Sequence, residues 1–166
     1  MGQTSRAPLG RSICFVITAF LIIGSACARQ SPARAGAIAL LAATDTSVAW
    51  MADSAFVGDV DCDGHADSAF VGRSTREIHV GLVATASDSP SIVPFRIGGG
   101  SQDAVCEASA ALSTETLDYD PTEDTGPLEG FKRSAVCKGL SLSDDSCDSI
   151  HLYWNHNAGK LQWWRR

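Results

Sequence analysis

The chain is poor in positive charge. Only 13 of its 166 residues are Lys or Arg, against 19 Asp or Glu, for a formal net charge of −6. Phosphate-backbone binding needs clustered positive charge, so the composition argues against a nucleic-acid partner. Charged residues of both signs make up only 19% while hydrophobic ones make up 45%, which excludes a highly charged disordered chain. No apolar run reaches the roughly 20 residues that span a bilayer as a helix. There is no G-x-S-x-G elbow, no P-loop and no H-E-x-x-H pair. His65, His79, His151 and His156 are the only histidines. His151 and His156 lie five positions apart, which on a strand puts them on opposite faces and argues against a shared metal. Paired CxxC knuckles are also missing, against a structural zinc site. These absences leave no recognisable catalytic constellation, and the chain is read as a non-enzyme.

What is present begins with an address. Arg6 and Arg11 precede an apolar run at 13–23, and Gly24, Ser25 and Ala26 follow it, the three-part pattern of a secretory signal over 1–28. Two cleavage readings compete. Ala26-Cys27-Ala28 is an A-x-A site. Ile23-Gly24-Ser25-Ala26-Cys27 also resembles a bacterial lipobox, with Cys27 as the lipidated residue and Gly24 where a Leu is usual. The resemblance implies a membrane attachment through Cys27 and an outer-membrane destination. Simple cleavage implies a periplasmic or secreted protein. Loss of Arg6 and Arg11 leaves 11 basic and 19 acidic residues, a net charge of −8.

Export sets the reading of the cysteines. Cys14 lies in the signal and Cys27 is lipidated or removed, leaving Cys62, Cys106, Cys137 and Cys147. An even number in an oxidising compartment predicts two disulfides. Spacing leaves all three pairings open. Ala104-Val105-Cys106 and Ala135-Val136-Cys137 both read as short strands, and that likeness favours Cys106 with Cys137 and Cys62 with Cys147.

The segment 29–47 is rich in Ala and reads as a tether, with one short helix at 35–43. From 48 to 166 the signals are those of strands and turns. Ile78, Val80 and Leu82 alternate with His79 and Gly81 in period two. Strands are expected at 47–51, 77–85, 91–97, 113–119 and 150–154, a long surface loop at 120–130, and a terminal hairpin at 151–164 that turns at Asn157-Ala158-Gly159. The heptapeptide ADSAFVG occurs at 52–58 and again at 66–72, as two short strands around one loop. The fold class expected is mainly β, a small single domain built as a sandwich or an open barrel.

The stretch 59–67 carries the most chemistry. Asp59, Asp61 and Asp63 alternate, Gly64 follows, and Asp67 closes the loop. Alternating carboxylates on a tightly wrapped loop can converge on a hard cation that takes six to eight oxygens at about 2.3–2.6 Å. Gly64 permits the turn, and His65 can offer its main-chain carbonyl. Four carboxylates so close repel one another unless a cation neutralises them. An EF-hand loop starting at Asp59 would need a bidentate Glu at its twelfth position, which is Phe70. The pattern D-x-D-x-D-G-x-x-D, filled here by Asp59, Asp61, Asp63, Gly64 and Asp67, instead resembles the FG-GAP (VCBS-type) repeat. Ala69-Phe70-Val71-Gly72 matches its following strand. The resemblance spans about twenty residues and implies a strand–loop–strand unit that binds calcium. A single copy does not imply the family's propeller.

The expected function is a cell-envelope protein with a calcium-stabilised β domain, serving as a binding or structural module for another envelope protein or a glycan. The alternative is a carbohydrate-binding or hydrolase accessory protein, with Trp154, Trp163 and Trp164 stacking on sugars beside acidic residues. An exposed row of these Trp side chains would favour the alternative.

Overall fold

The computed structural model describes residues 32–87 and 89–166. The signal segment 1–28, with Cys27, lies outside the described residues. The elements run α1 (Pro32–Thr44), β1 (Ala49–Trp50), a 3-10 turn (Ala52–Ser54), β2 (Phe56–Gly58), β3 (Asp67–Arg73), β4 (Glu77–Val83), β5 (Ser91–Ile97), β6 (Ala104–Val105), β7 (Ala111–Leu117), a single-turn α2 (Thr122–Thr125), β8 (Ser134–Ser143), β9 (Ile150–Asn155) and β10 (Lys160–Trp164).

The ten strands form two sheets. The first has the order β1-β3-β4-β5-β6, with β2 also paired to β3, and the second has the order β10-β9-β8-β7. All pairings are antiparallel except β5 with β6. Period-two patterning decides which side chains meet between the sheets. Ala69 and Val71 of β3, with Ile78, Val80 and Leu82 of β4, face Leu140 and Leu142 of β8 and Ile150 and Leu152 of β9 in one buried cluster. Phe95 is fully buried there and meets the edge of Trp163, with ring centroids 5.8 Å apart. The expected mainly-β single domain is therefore present, as a two-sheet sandwich and not a closed barrel.

The two ADSAFVG copies are not structural equivalents. The second lies almost wholly in β3, paired on both edges. In the first, Ala52-Asp53-Ser54 forms the 3-10 turn and only Phe56, Val57 and Gly58 enter a strand. Context decides: Ser54 Oγ accepts the Val71 N–H at 2.9 Å, which holds the first copy against the edge of the second. Strand β8, ten residues long, exceeds the short Ala-Val-Cys strand expected there. Its alternation is hidden because Gly139 and Ser141 occupy the face away from the core.

Residues 32–47 of the segment expected as a tether are part of the packed domain. Leu41 of α1 is fully buried, with Ala37 and Phe70, on the outer face of the first sheet. Trp50 and Ile38 cover the same cluster. The Ala-rich composition misled because a helix lying on a sheet needs only one or two large side chains at the contact. Truncation of a fully buried Leu costs about 2–5 kcal/mol. Leu41→Ala is expected to lower stability by that amount in urea unfolding. Truncation of its exposed neighbour Leu40 is expected to cost less than about 1 kcal/mol. Equal, small effects would mean that the helix only tethers the domain.

Candidate metal centre

Strands β2 and β3 close the loop between them, with Gly58 opposite Asp67. Asp67 is 1% exposed and organises the loop from inside. Its Oδ2 accepts the N–H groups of Val60 at 2.8 Å and Asp61 at 3.2 Å. Its Oδ1 accepts the Thr85 N–H at 3.0 Å, and Thr85 Oγ1 donates to the Ala66 carbonyl at 2.8 Å. The carboxylate therefore ties the loop to the end of β4. Val60, fully buried, turns inward to the main core.

The remaining Asp side chains make successive local turns, the behaviour that gives Asx residues their loop preference. Asp59 Oδ2 accepts the Gly64 N–H at 3.2 Å, Asp61 Oδ1 accepts from Asp63 at 3.1 Å, and Asp63 Oδ1 accepts from His65 at 2.7 Å. Gly64 has φ +88°, and Cys62 takes φ +62° without a glycine's freedom. These turns draw one oxygen each from Asp59, Asp61 and Asp67 within 4.8 Å of one another, a group that can hold a metal ion. Asp63 is not in that group. It faces His65, whose Nδ1 lies 3.3 Å from Asp63 Oδ1 and whose side chain is exposed.

Two features show how the protein strains to keep this arrangement. Asp59 Oδ1 is buried without a hydrogen-bond partner, and an unfilled buried acceptor costs roughly 1–3 kcal/mol. The Asp61 carboxyl is pushed up to about 6, first by burial and then by the charge of Asp67, with Asp63 and Asp59 adding to it.

One of the two disulfides anchors the loop from outside. The two join Cys62 to Cys137 and Cys106 to Cys147, with Cα atoms 5.4 and 5.9 Å apart. The expected pairing of Cys106 with Cys137 is thus replaced. The two Ala-Val-Cys segments do resemble each other as strands, but β6 belongs to the first sheet and β8 to the second. Asp144 accepts the N–H groups of Glu107 at 2.7 Å and Cys147 at 3.0 Å, which draws Cys147 to the segment carrying Cys106. In the middle of β8 the Lys138 N–H donates to the Asp59 carbonyl at 2.9 Å. Bridge and hydrogen bond together pin the acidic loop of the first sheet to β8 of the second. Neither Thr85 nor this pinning was legible in the sequence, because both act across more than a dozen residues.

The other expected candidates resolve differently. Trp154 and Trp163 pack against the main core and Trp164 is buried in a second cluster, so the Trp side chains form no exposed row. Asp118 pairs with Arg133 at 2.8 Å, and Asp124 with Arg166 at 3.0 Å. His151 Nδ1 lies 2.7 Å from Glu115 Oε2, a pair with no signal in sequence.

The raised Asp61 carboxyl has a definite sign. Its proton is held more tightly in the folded loop than in the unfolded chain. The cost is absent below the ordinary value of 3.8 and sets in as pH rises through about 6. In chelator, Asp61→Asn is therefore expected to raise the melting temperature at about pH 7 and to give no gain at about pH 3.5. Asn keeps an oxygen for the Asp63 N–H. A wild-type melt equal to the variant's at both pH values would show that the loop carries no such repulsion.

No protein-family model matches the chain, and no curated protein or solved structure is significantly similar to it.

Proposed function

We propose that the chain is an exported, non-catalytic cell-envelope protein whose β sandwich is stabilised by calcium and serves as a binding or structural module. The observation that carries this reading is the clustering of Asp59, Asp61 and Asp67, one oxygen of each within 4.8 Å of the others, together with the buried, unpartnered Asp59 Oδ1. Such an atom asks for a cation that the chain itself does not supply. A ligand set of carboxylate oxygens with main-chain carbonyls suits a hard ion, and a flexible loop suits calcium better than magnesium, which demands a near-ideal octahedron. The sequence spacing offers Asp63 and the His65 carbonyl as further oxygens, which the loop would have to turn toward the group. The FG-GAP-type spacing supports the same ion. The two disulfides suit an oxidising compartment, in line with a secretory signal and with attachment through a lipid on Cys27 or release into the periplasm. The packed Trp side chains favour this reading over sugar stacking.

Thermal melts in calcium, magnesium and chelator test it. Calcium at 100 times its dissociation constant is expected to stabilise by about 2.7 kcal/mol, a rise of roughly 5–12 °C. Magnesium is expected to do much less, and Asp59→Asn to remove most of the effect. Identical melts in all three conditions would leave the loop a solvated hairpin turn.

The Cys62–Cys137 bridge is expected to position this site. Removing either native disulfide should cost about 2–5 kcal/mol of stability. Only Cys62→Ser with Cys137→Ser should also weaken calcium binding, by about tenfold or more in titration calorimetry. Cys106→Ser with Cys147→Ser serves as the control. An equal loss of affinity in both double variants would show that the bridge acts on overall stability alone.

A further inference from the structure

Helix α1 turns one side to the first sheet and the other away from the molecule. Ala37 and Leu41 are buried on the sheet. Ala33, Ala35, Gly36, Ala39, Leu40 and Ala43 are exposed. The chain carries 19 acidic residues, yet none lies in α1, whose one charged residue, Arg34, is basic. The solvent side of a surface helix ordinarily carries charged and polar side chains. This one is apolar and free of acid.

The apolar surface continues beyond the helix. Phe56 packs into the core between the sheets, so its neighbours Ala55 and Val57 point to the outer face. Ala55 joins the cluster of Leu41 and Phe70 there, and half-buried Val83 and Ile92 border it. Val57 is 50% exposed and Leu40 38%, two of the three large hydrophobic side chains exposed among the described residues. An acidic domain that gathers exposed apolar side chains on one side offers that side to an apolar neighbour.

Position in the chain says which neighbour. Pro32, where α1 starts, stands five residues after Cys27, where the lipid would sit. Five residues span at most about 18 Å even fully extended. A membrane that holds the lipid is therefore within reach of the first turn of α1. The helix cannot cross that membrane. Its 13 residues rise only about 20 Å, against a hydrocarbon core of about 30 Å.

We propose that α1 lies flat on the bilayer that anchors Cys27, which makes the outer face of the first sheet the membrane-facing side of the sandwich. The inference rests on the lipid reading of Cys27 and is independent of the calcium reading. Ala side chains bury little apolar area, so the unanchored domain binds a bilayer weakly. The tether raises the effective concentration of the surface, and a weak affinity then suffices. The lack of acid on α1 spares this side the repulsion that a net-acidic domain meets at an anionic leaflet.

The test uses the lipidated protein in vesicles of phosphatidylethanolamine and phosphatidylglycerol. With Cys27 acylated and the other four cysteines of the mature chain in disulfides, Leu40→Cys supplies the one thiol for an environment-sensitive fluorophore. Glu123→Cys, on the cover of the second sheet, is the control. On vesicles the label at 40 is expected to shift its emission to the blue and to lose iodide quenching severalfold, while the label at 123 changes in neither respect. The unlipidated chain starting at Arg29 is expected to show no change at either position. A water-exposed label at 40 on acylated, vesicle-bound protein would overturn this inference alone, as would equal shifts at 40 and 123. A blue-shifted label at 40 without vesicles would assign the face to a second copy of the chain and overturn it too. Mass analysis that finds no acyl chain on Cys27 would overturn the lipid reading together with the inference.

Discussion

The arrangement of the acidic loop depends on one buried carboxylate. Asp67 has almost no contact with water, and a charge taken out of water must be compensated by hydrogen bonds in place. Val60, Asp61 and Thr85 supply three main-chain N–H groups. Those same bonds fix the start of β3, the backbone of the loop and the end of β4 relative to one another. Once Asp67 is fixed, Val60 enters the core and Asp59 and Asp61 are brought to the same point. The cluster of charge is thus a consequence of backbone organisation. The price is the raised Asp61 carboxyl and the unfilled Asp59 oxygen, and a bound cation would relieve both.

The sequence made much of the sandwich legible because strands buried on one face leave a period-two trace. Ile78, Val80 and Leu82 declared β4, and the Asn-rich turn declared the terminal hairpin. There Asn155 Oδ1 accepts the N–H groups of Asn157 and Ala158, each at 2.9 Å. The spacing of Asp59, Asp61, Asp63 and Asp67 marked the loop for the same reason, since local turns are encoded locally. What stayed hidden is what requires two distant segments. The disulfide partners follow from which sheet each strand joins, and short strands of like composition do not say. The docking of α1 rests on Leu41 against Phe70, a contact no Ala-rich composition announces. The Glu115–His151 pair depends on the absence of a side chain at Gly139, visible only once β7, β8 and β9 lie side by side.

Both outer faces of the sandwich are covered, and by different means. Helix α1 covers the first sheet with apolar side chains. The segment 118–133 covers the second with aromatic rings that also carry polar atoms. Tyr153 shows the difference: its ring meets Phe131 at 5.5 Å while its O–H donates to the Glu129 carbonyl at 3.1 Å. A cover of this mixed kind leaves polar space beneath it, whereas the helix on the opposite side fills the space it covers.

Strand β8 joins these features into one mechanical unit. Its residues alternate in role: Leu140 and Leu142 enter the core between the sheets, whereas Cys137 and Gly139 face outward. Cys137 holds the acidic loop by its disulfide, and its neighbour Lys138 holds the Asp59 carbonyl. Gly139, two residues on, makes room for Glu115 to reach His151. Cys62 and Cys137 also pack in the cluster that contains Trp164, Tyr153 and Leu117. The acidic loop is therefore packed, through Cys62, against the side chains under the cover of the second sheet. The order of residues along β8 gives the physical route by which one end of the sandwich restrains the other.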